Sequence, residues 1–228
     1  MNPPVIRLKN VSLGYGHEAV LENINLEIPR GVFLPFVGPN GGGKTTLLRG
    51  ILGLIQPMHG SIETPFALLP AGYVAQHKSI DPLFTLTVKE IVSMGFYPRL
   101  GWWKKPGAEE KRILDQALEE LNLTQHAHKN YRNLSGGTKQ KTLVARAFVS
   151  GAEVFIMDEP TAELDEASEQ EVFRHLAGLV TKSGKTVLMA HHGLSQLISS
   201  SATSQICTVN HGKVSMIGSP GMKKPGIS

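Results

Sequence analysis

Nine consecutive residues limit what this chain can fold into more than any other stretch: Gly38-Pro39-Asn40-Gly41-Gly42-Gly43-Lys44-Thr45-Thr46. They fit the pattern G-x-x-x-x-G-K-[ST]. The apolar run Val32–Val37 precedes them, and a helix-like segment, Lys44 to Leu54, follows. A strand that passes through glycines into a helix opens an α/β unit. Glycines let successive backbone N–H groups turn onto an anion without side-chain obstruction. The helix that follows aims its positive dipole end at the same point. Lys44 adds a mobile charge for the outer phosphates of a polyphosphate, and Thr45 offers a hydroxyl to Mg²⁺. Pro35 breaks a local rule, because proline removes a ladder donor from a central strand. The strand assignment therefore requires its missing N–H to fall at a bulge or an unpaired site.

Around this loop the pattern is that of an α/β protein. Ile6 and Leu8 alternate with polar residues, as do Ile24, Leu26 and Ile28, and Gly14, Gly16 and His17 separate the two runs. They predict antiparallel strands near the start. Gly60–Glu63 and Tyr73–Ala75 read as further short strands. From about Thr85 to Ser150 the pattern turns helical, with Ile113, Leu114, Ala117, Leu118 and Leu121 on one face. After Gly151 the alternation resumes. Val154–Met157 and Thr186–Ala190 are continuous apolar runs, as expected of strands buried on both faces of a parallel sheet, with a helix over about Glu166–Lys182 between them. Two more strands flank Asn210-His211-Gly212, a candidate hairpin, and the end from Lys223-Lys224 onward reads as frayed.

Composition excludes several classes. No stretch reaches the roughly 18–20 apolar residues of a membrane-spanning helix; the most apolar window, Leu47 to Ile55, is broken by Arg49, Gly50 and Gly53. Met1-Asn2-Pro3-Pro4 has neither a basic flank nor an apolar core, which speaks against a secretory signal. The single cysteine, Cys207, cannot form a disulfide within the chain and fits a reducing cytoplasm. A net charge of +4 is too small to demand nucleic acid.

A second chemical feature is Val154-Phe155-Ile156-Met157-Asp158-Glu159, which sets two acids at the end of a buried strand. Burying carboxylates without partners is costly, and Mg²⁺ supplies a reason for them. Asp158 can hold the ion through its water shell, while Glu159 can orient or deprotonate an attacking water. The plain alternative is a pair of helix-capping acids.

Leu134-Ser135-Gly136-Gly137, followed by Gln140 and Ala145-Arg146-Ala147, resembles the signature motif of ATP-binding cassette (ABC) ATPases. It lies upstream of the acidic strand, in that family's order, and the resemblance covers nearly the whole chain. It implies a P-loop NTPase core of mostly parallel sheet, with an N-terminal antiparallel β-subdomain and an inserted α-helical subdomain. One nucleotide-binding domain would span 1–228, with about 1–84 and 151–228 as core and about 85–150 as the helical part. It further implies that the nucleotide is ATP with Mg²⁺. Gly38, Pro39, Asn40, Gly41, Gly42, Gly43, Lys44, Thr45 and Thr46 would bind it on one copy. Ser135, Gly136 and Gly137 of a second copy would cap it in a head-to-tail homodimer. Tyr15 matches the aromatic that stacks on adenine, though a packing residue at a strand end would look the same. Gln76, after Gly72-Tyr73-Val74-Ala75, resembles the glutamine that touches the metal and water site, so that Thr45, Gln76 and Asp158 form the expected metal set. Leu164-Asp165 resembles the loop that crosses between subunits. In Leu188-Met189-Ala190-His191-His192-Gly193-Leu194, counting favours His192 over His191 as the switch histidine. Glu159, His192 and Gln76 are thus the expected catalytic residues.

Three positions depart from the family pattern: Thr138 replaces a glutamine, Lys141 an arginine, and Gly193 an aspartate. They bear on rate and dimer affinity rather than on the reaction. With no membrane span of its own, such a cassette would be peripheral on the inner face of the membrane and would drive separate permease subunits. Gln76–Lys105 is where relatives dock their permease. Five aromatics, Phe84, Phe96, Tyr97, Trp102 and Trp103, crowd it, as either an interface anchor or core packing. The wording of Met94–Trp102 is similar to importers of zinc, manganese or chelated iron. Other readings are an ATPase of a soluble iron–sulfur scaffold, a DNA-repair relative and a non-catalytic nucleotide binder. The short gap between Lys44 and Ser135 argues against the second, and intact Lys44, Asp158, Glu159 and His192 against the third.

Overall fold

The computed structural model describes residues 3–76, 85–101, 103–192, 205–210 and 212–218. The chain divides into two compact units, Met1–Leu68 with Ala177–Ser228, and Leu69–Leu176.

In the first unit, β1 (Ile6–Tyr15) pairs antiparallel with β2 (Glu18–Ile28) on one side and β4 (His59–Glu63) on the other. The alternation read from the sequence sets this sheet: Ile6, Leu8, Val11 and Leu13 face Ile28, Leu26, Ile24 and Leu21, all buried. A register shift between Leu8 and Val11 keeps the apolar set on one face past Lys9 and Asn10.

The other strands of this unit surround β3 (Phe33–Val37), whose five residues are all buried. It runs parallel to β7 (Thr186–His191) and to β8 (Gln205–Asn210), and β9 (Lys213–Gly218) closes a hairpin on β8. Pro35 is accommodated as the sequence required. Val187 N–H donates to the Val32 carbonyl at 2.8 Å. Residues alternate sides along a strand, so Val32, Leu34 and Phe36 address β7 and Pro35 addresses β8. There the register begins only at Phe36, opposite Cys207. The missing donor falls ahead of the first paired residue.

Helix α1 spans Lys44–Ile51, three residues shorter than its sequence pattern. Gly53 adopts φ 73, and Leu54 N–H returns to the Arg49 carbonyl at 2.9 Å, a left-handed ending that only glycine takes without strain.

In the second unit, β5 (Gly72–Val74) lies parallel to β6 (Val154–Asp158). Its helices are α2 (Val88–Ser93), α3 (Tyr97–Leu100), α4 (Ala108–Glu120) and α5 (Gly136–Val149), and α6 (Glu166–Ser183) begins here. Thr87 and Glu90 form a reciprocal capping box at the start of α2. Helix α5 packs on α2 and α4, burying Leu143, Val144 and Ala147 with Ile91, Val92, Leu114 and Leu118. The aromatics of this region divide. Phe96 is core, whereas Tyr97 and Trp103 are exposed; Phe84 and Trp102 lie outside the described residues, as do Gly193, Leu194, Lys223 and Lys224. Among the described residues no helix is long and apolar enough to cross a membrane.

Candidate functional site

The glycine loop leaves the C-terminal end of β3 and enters α1. Gly41 and Gly43 take φ of 76 and 101, conformations closed to most side chains. A methyl group on Gly38 would strike the Val209 carbonyl, and one on Gly43 would lie 2.7 Å from Leu21 Cδ2. Lys44 is buried, and its Nζ donates to the carbonyls of Gly38 at 2.8 Å and Pro39 at 3.0 Å, so the ammonium lies across the loop. Gly42 N–H donates to the Pro39 carbonyl at 3.1 Å. The N-terminus of α1 has no side-chain cap and no acidic residue in its first turn. A helix end of that kind favours an anion. Thr45 occupies the first turn and Thr46 is buried beneath it; Asn40 is exposed at the tip.

Parallel pairing brings the histidine segment to the same level. His191, the last residue of β7, is in register with Val37, the residue before Gly38. His191 is buried, whereas His192, one step further, is exposed, with the two rings 5.1 Å apart. Tyr15, at the end of β1, is 47% exposed, and its hydroxyl accepts from Arg49 of α1 at 3.3 Å. Nearly half of the residue is therefore open to solvent.

In the second unit, Val74 is in register with Met157. Two residues on, Gln76 and Glu159 stand level, and Gln76 Nε2 donates to Glu159 Oε2 at 3.2 Å. Asp158 is 2% exposed at the end of β6, and Glu159 turns out of the strand at φ 49, a left-handed conformation for a residue with a side chain. Buried Asp158 is the kind of carboxylate whose charge a bound cation would offset. Ligands of α/β sheets gather at such carboxyl ends of strands.

Ser135 caps α5, its hydroxyl accepting from Thr138 N–H at 3.3 Å and lying 2.8 Å from Thr138 Oγ1. The threonine that departs from the family pattern thus engages the signature serine itself. A second departure, Lys141, forms an ion pair with Glu171 of α6 at 2.8 Å, and Asn122 donates to the same carboxylate. The loop from Glu159 to Asp165 closes on this helix start. A methyl group on Gly136 would collide with Glu163 Oε2, and one on Gly137 would meet the Glu163 carbonyl and Leu164 Cδ2 at 3.3 Å. Thr161 donates to buried Glu169 at 2.7 Å, and Asp165 caps α6 by accepting from Ser168 N–H at 2.9 Å. The Ser168 bonds hold the Asp165 carboxyl below its ordinary value. Neither Glu163 nor Glu171 stands out in the sequence alone. An acid two residues before Asp165 was visible, but only its place against Gly136 makes it notable.

A strand, glycine loop and uncapped helix in the first unit, and in the second a parallel strand ending in two acids, are together the parts of a P-loop nucleoside-triphosphate hydrolase. The ABC transporter family profile matches residues 21–162. The chain is 36% identical over 192 residues to the manganese transport system ATP-binding protein MntB of Listeria monocytogenes, covering 82% of this chain and 80% of that one. It is 37% identical over 194 residues to the zinc transport system ATP-binding protein TroB of Treponema pallidum, covering 83% and 73%. Among solved structures, the dimeric ATP-binding cassette MJ0796 in a post-hydrolysis state with ADP and Pi superimposes with a TM-score of 0.82 at 26% identity, covering 95% of this chain and 100% of that one. The chain belongs to the ABC transporter family, as one of its ATP-hydrolysing cassettes.

Proposed function

We propose that this cassette powers the uptake of metal ions or metal chelates through separate membrane permease subunits, from the inner face of the membrane. It would work as a homodimer that closes on ATP. What supports the cargo is the similarity to ATP-binding proteins of manganese and zinc transport systems. The chain would act as a single nucleotide-binding domain over 1–228, with about 85–150 as the helical part that carries the signature motif.

Within that reading each residue has a task. The backbone N–H groups between Gly38 and Thr46, Pro39 having none, and the Lys44 ammonium hold the triphosphate, and Tyr15 stacks on adenine. Ser135, Gly136 and Gly137 cap the terminal phosphate of the nucleotide on the second copy. Thr45, Asp158 and Gln76 would hold Mg²⁺, which when bound neutralises phosphate charge. Glu159 accepts a proton from the attacking water or orients it, and His192 hydrogen-bonds the terminal phosphate. The observation that carries the reading is the Gln76–Glu159 hydrogen bond, because it ties the hydrolytic carboxylate to the start of the segment where relatives meet their permease.

Glu159→Gln tests it. The variant should bind ATP with wild-type affinity, lose nearly all turnover and accumulate as an ATP-bound dimer. Unchanged hydrolysis would refute the assignment. Recovery of the native chain with an integral membrane protein is expected; recovery with a soluble scaffold instead would overturn the transport reading.

A further inference from the structure

We propose that Glu163 is an electrostatic gate on the signature loop: in the free subunit its carboxylate occupies the approach to the Gly136 backbone, and ATP-driven pairing of two copies must displace it. The inference rests on the sandwich-dimer reading above, since it concerns the same anion site.

The placement is specific. Glu163 Oε2 lies within collision distance of where a Cβ on Gly136 would stand, so the carboxylate covers the Gly136 backbone, while the next glycine is covered by the Glu163 carbonyl and Leu164. The loop that carries Glu163 is pinned on both sides, by the buried Thr161–Glu169 bond and by the Asp165 cap of α6. Helix α5 has no acid in its own first turn, so Glu163 supplies from outside the negative charge that a helix start favours. Its charge also reaches Tyr131, whose phenol is pushed up to about 12, by burial first and by Glu163 against the opposing effect of Arg146.

An incoming terminal phosphate seeks the same helix start for the same electrostatic reason. Two anions cannot share it without mutual repulsion, which is strong where water is excluded. The carboxylate therefore stabilises the open subunit and raises the ATP concentration needed for closure. The side chain is exposed, so it can swing away once phosphate arrives.

The test uses the full chain in the Glu159→Gln background, where ATP-bound dimers persist. Dimer fraction is followed against MgATP by light scattering at fixed protein concentration, with and without Glu163→Gln. The neutral variant should reach half-dimer at about fivefold less MgATP, and the difference should shrink as salt is raised. Binding of a fluorescent ATP analogue to the monomer should be the same in both proteins, because the glycine loop is untouched. An unchanged or raised midpoint would overturn the gate, and so would an equal shift in monomer affinity, since the effect would then not arise at the interface. If Glu159→Gln alone forms no dimer in saturating MgATP, the sandwich reading itself fails and the gate falls with it.

Discussion

Gln76 and Glu159 occupy equivalent levels just past the ends of two parallel strands, and a 3.2 Å hydrogen bond joins their side chains. The amide holds the carboxylate in one orientation while leaving its second oxygen for another partner. Gln76→Ala should lower kcat roughly ten- to a hundredfold while changing the KM for ATP little, since orientation in the transition state is lost rather than binding. Gln76→Glu is the sharper test. A second carboxylate at this distance raises the pKa of one member of the pair, so the pH profile of hydrolysis should move to higher pH. A profile that stays in place would show that Glu159 is not the group whose ionisation limits the rate.

Lys44 lies across its own loop, bonded to the carbonyls of Gly38 and Pro39. In that position it ties the two ends of the loop together, and in the proposed reading it would exchange these carbonyls for phosphate. Lys44→Ala should abolish the thermal stabilisation that ATP gives. For the wild-type chain that stabilisation is about 2.7 kcal/mol at a hundredfold excess over Kd. Differential scanning fluorimetry with and without MgATP makes the comparison; an equal rise in both proteins would remove Lys44 from the phosphate site.

The contrast between these residues and those around Gly136 shows what a sequence can disclose. The glycine loop, the strands β6 and β7 and the acids at the end of β6 were legible because each is a local pattern: apolar runs for two-sided burial, glycines for a backbone that must approach an anion. The helix that starts at Lys44 was read three residues too long, because Gly53 ends it through a backbone conformation that hydrophobic spacing does not reveal. Glu163 on Gly136 and Lys141 on Glu171 were invisible. Both depend on how the loop after Glu159 and helix α6 fold back onto α5, which no spacing within one segment encodes. The left-handed turn at Glu159 was hidden for a related reason, since nothing in Asp-Glu-Pro marks a positive φ.

The Lys141–Glu171 pair is mostly withdrawn from water, with side chains 13% and 14% exposed. Removing one partner leaves the other's charge poorly solvated, so Lys141→Met should cost about 2–4 kcal/mol of stability. Replacing both, Lys141→Met with Glu171→Met, should recover much of that loss, because an apolar pair needs no counter-charge. Urea unfolding of the two single variants and the double variant closes the cycle. A double variant as unstable as the sum of the single variants would mean that the two side chains do not act on each other.

Cys207 is expected to weaken the fold at alkaline pH. It is fully buried in β8, opposite Phe36, and burial pushes its thiol from 9.0 up to about 12. The folded chain keeps this proton until about pH 12, whereas the unfolded chain releases it near 9. Above pH 9 the unfolded state therefore binds fewer protons, and stability falls as pH rises, by about 1.36 kcal/mol per pH unit for one group. The contribution is fully present below pH 9 and is lost on the way to pH 12. Tyr131, pushed from 10.0 to about 12, adds the same sense of change only above pH 10. Between pH 9 and 10 the two groups separate. Urea unfolding there should show a falling free energy for the wild-type chain and a flatter one for Cys207→Ala, while iodoacetamide should label the native thiol far more slowly than the unfolded one. Equal slopes in the two proteins, or rapid labelling of the native chain, would place this thiol in contact with water and remove it as the source of alkaline instability.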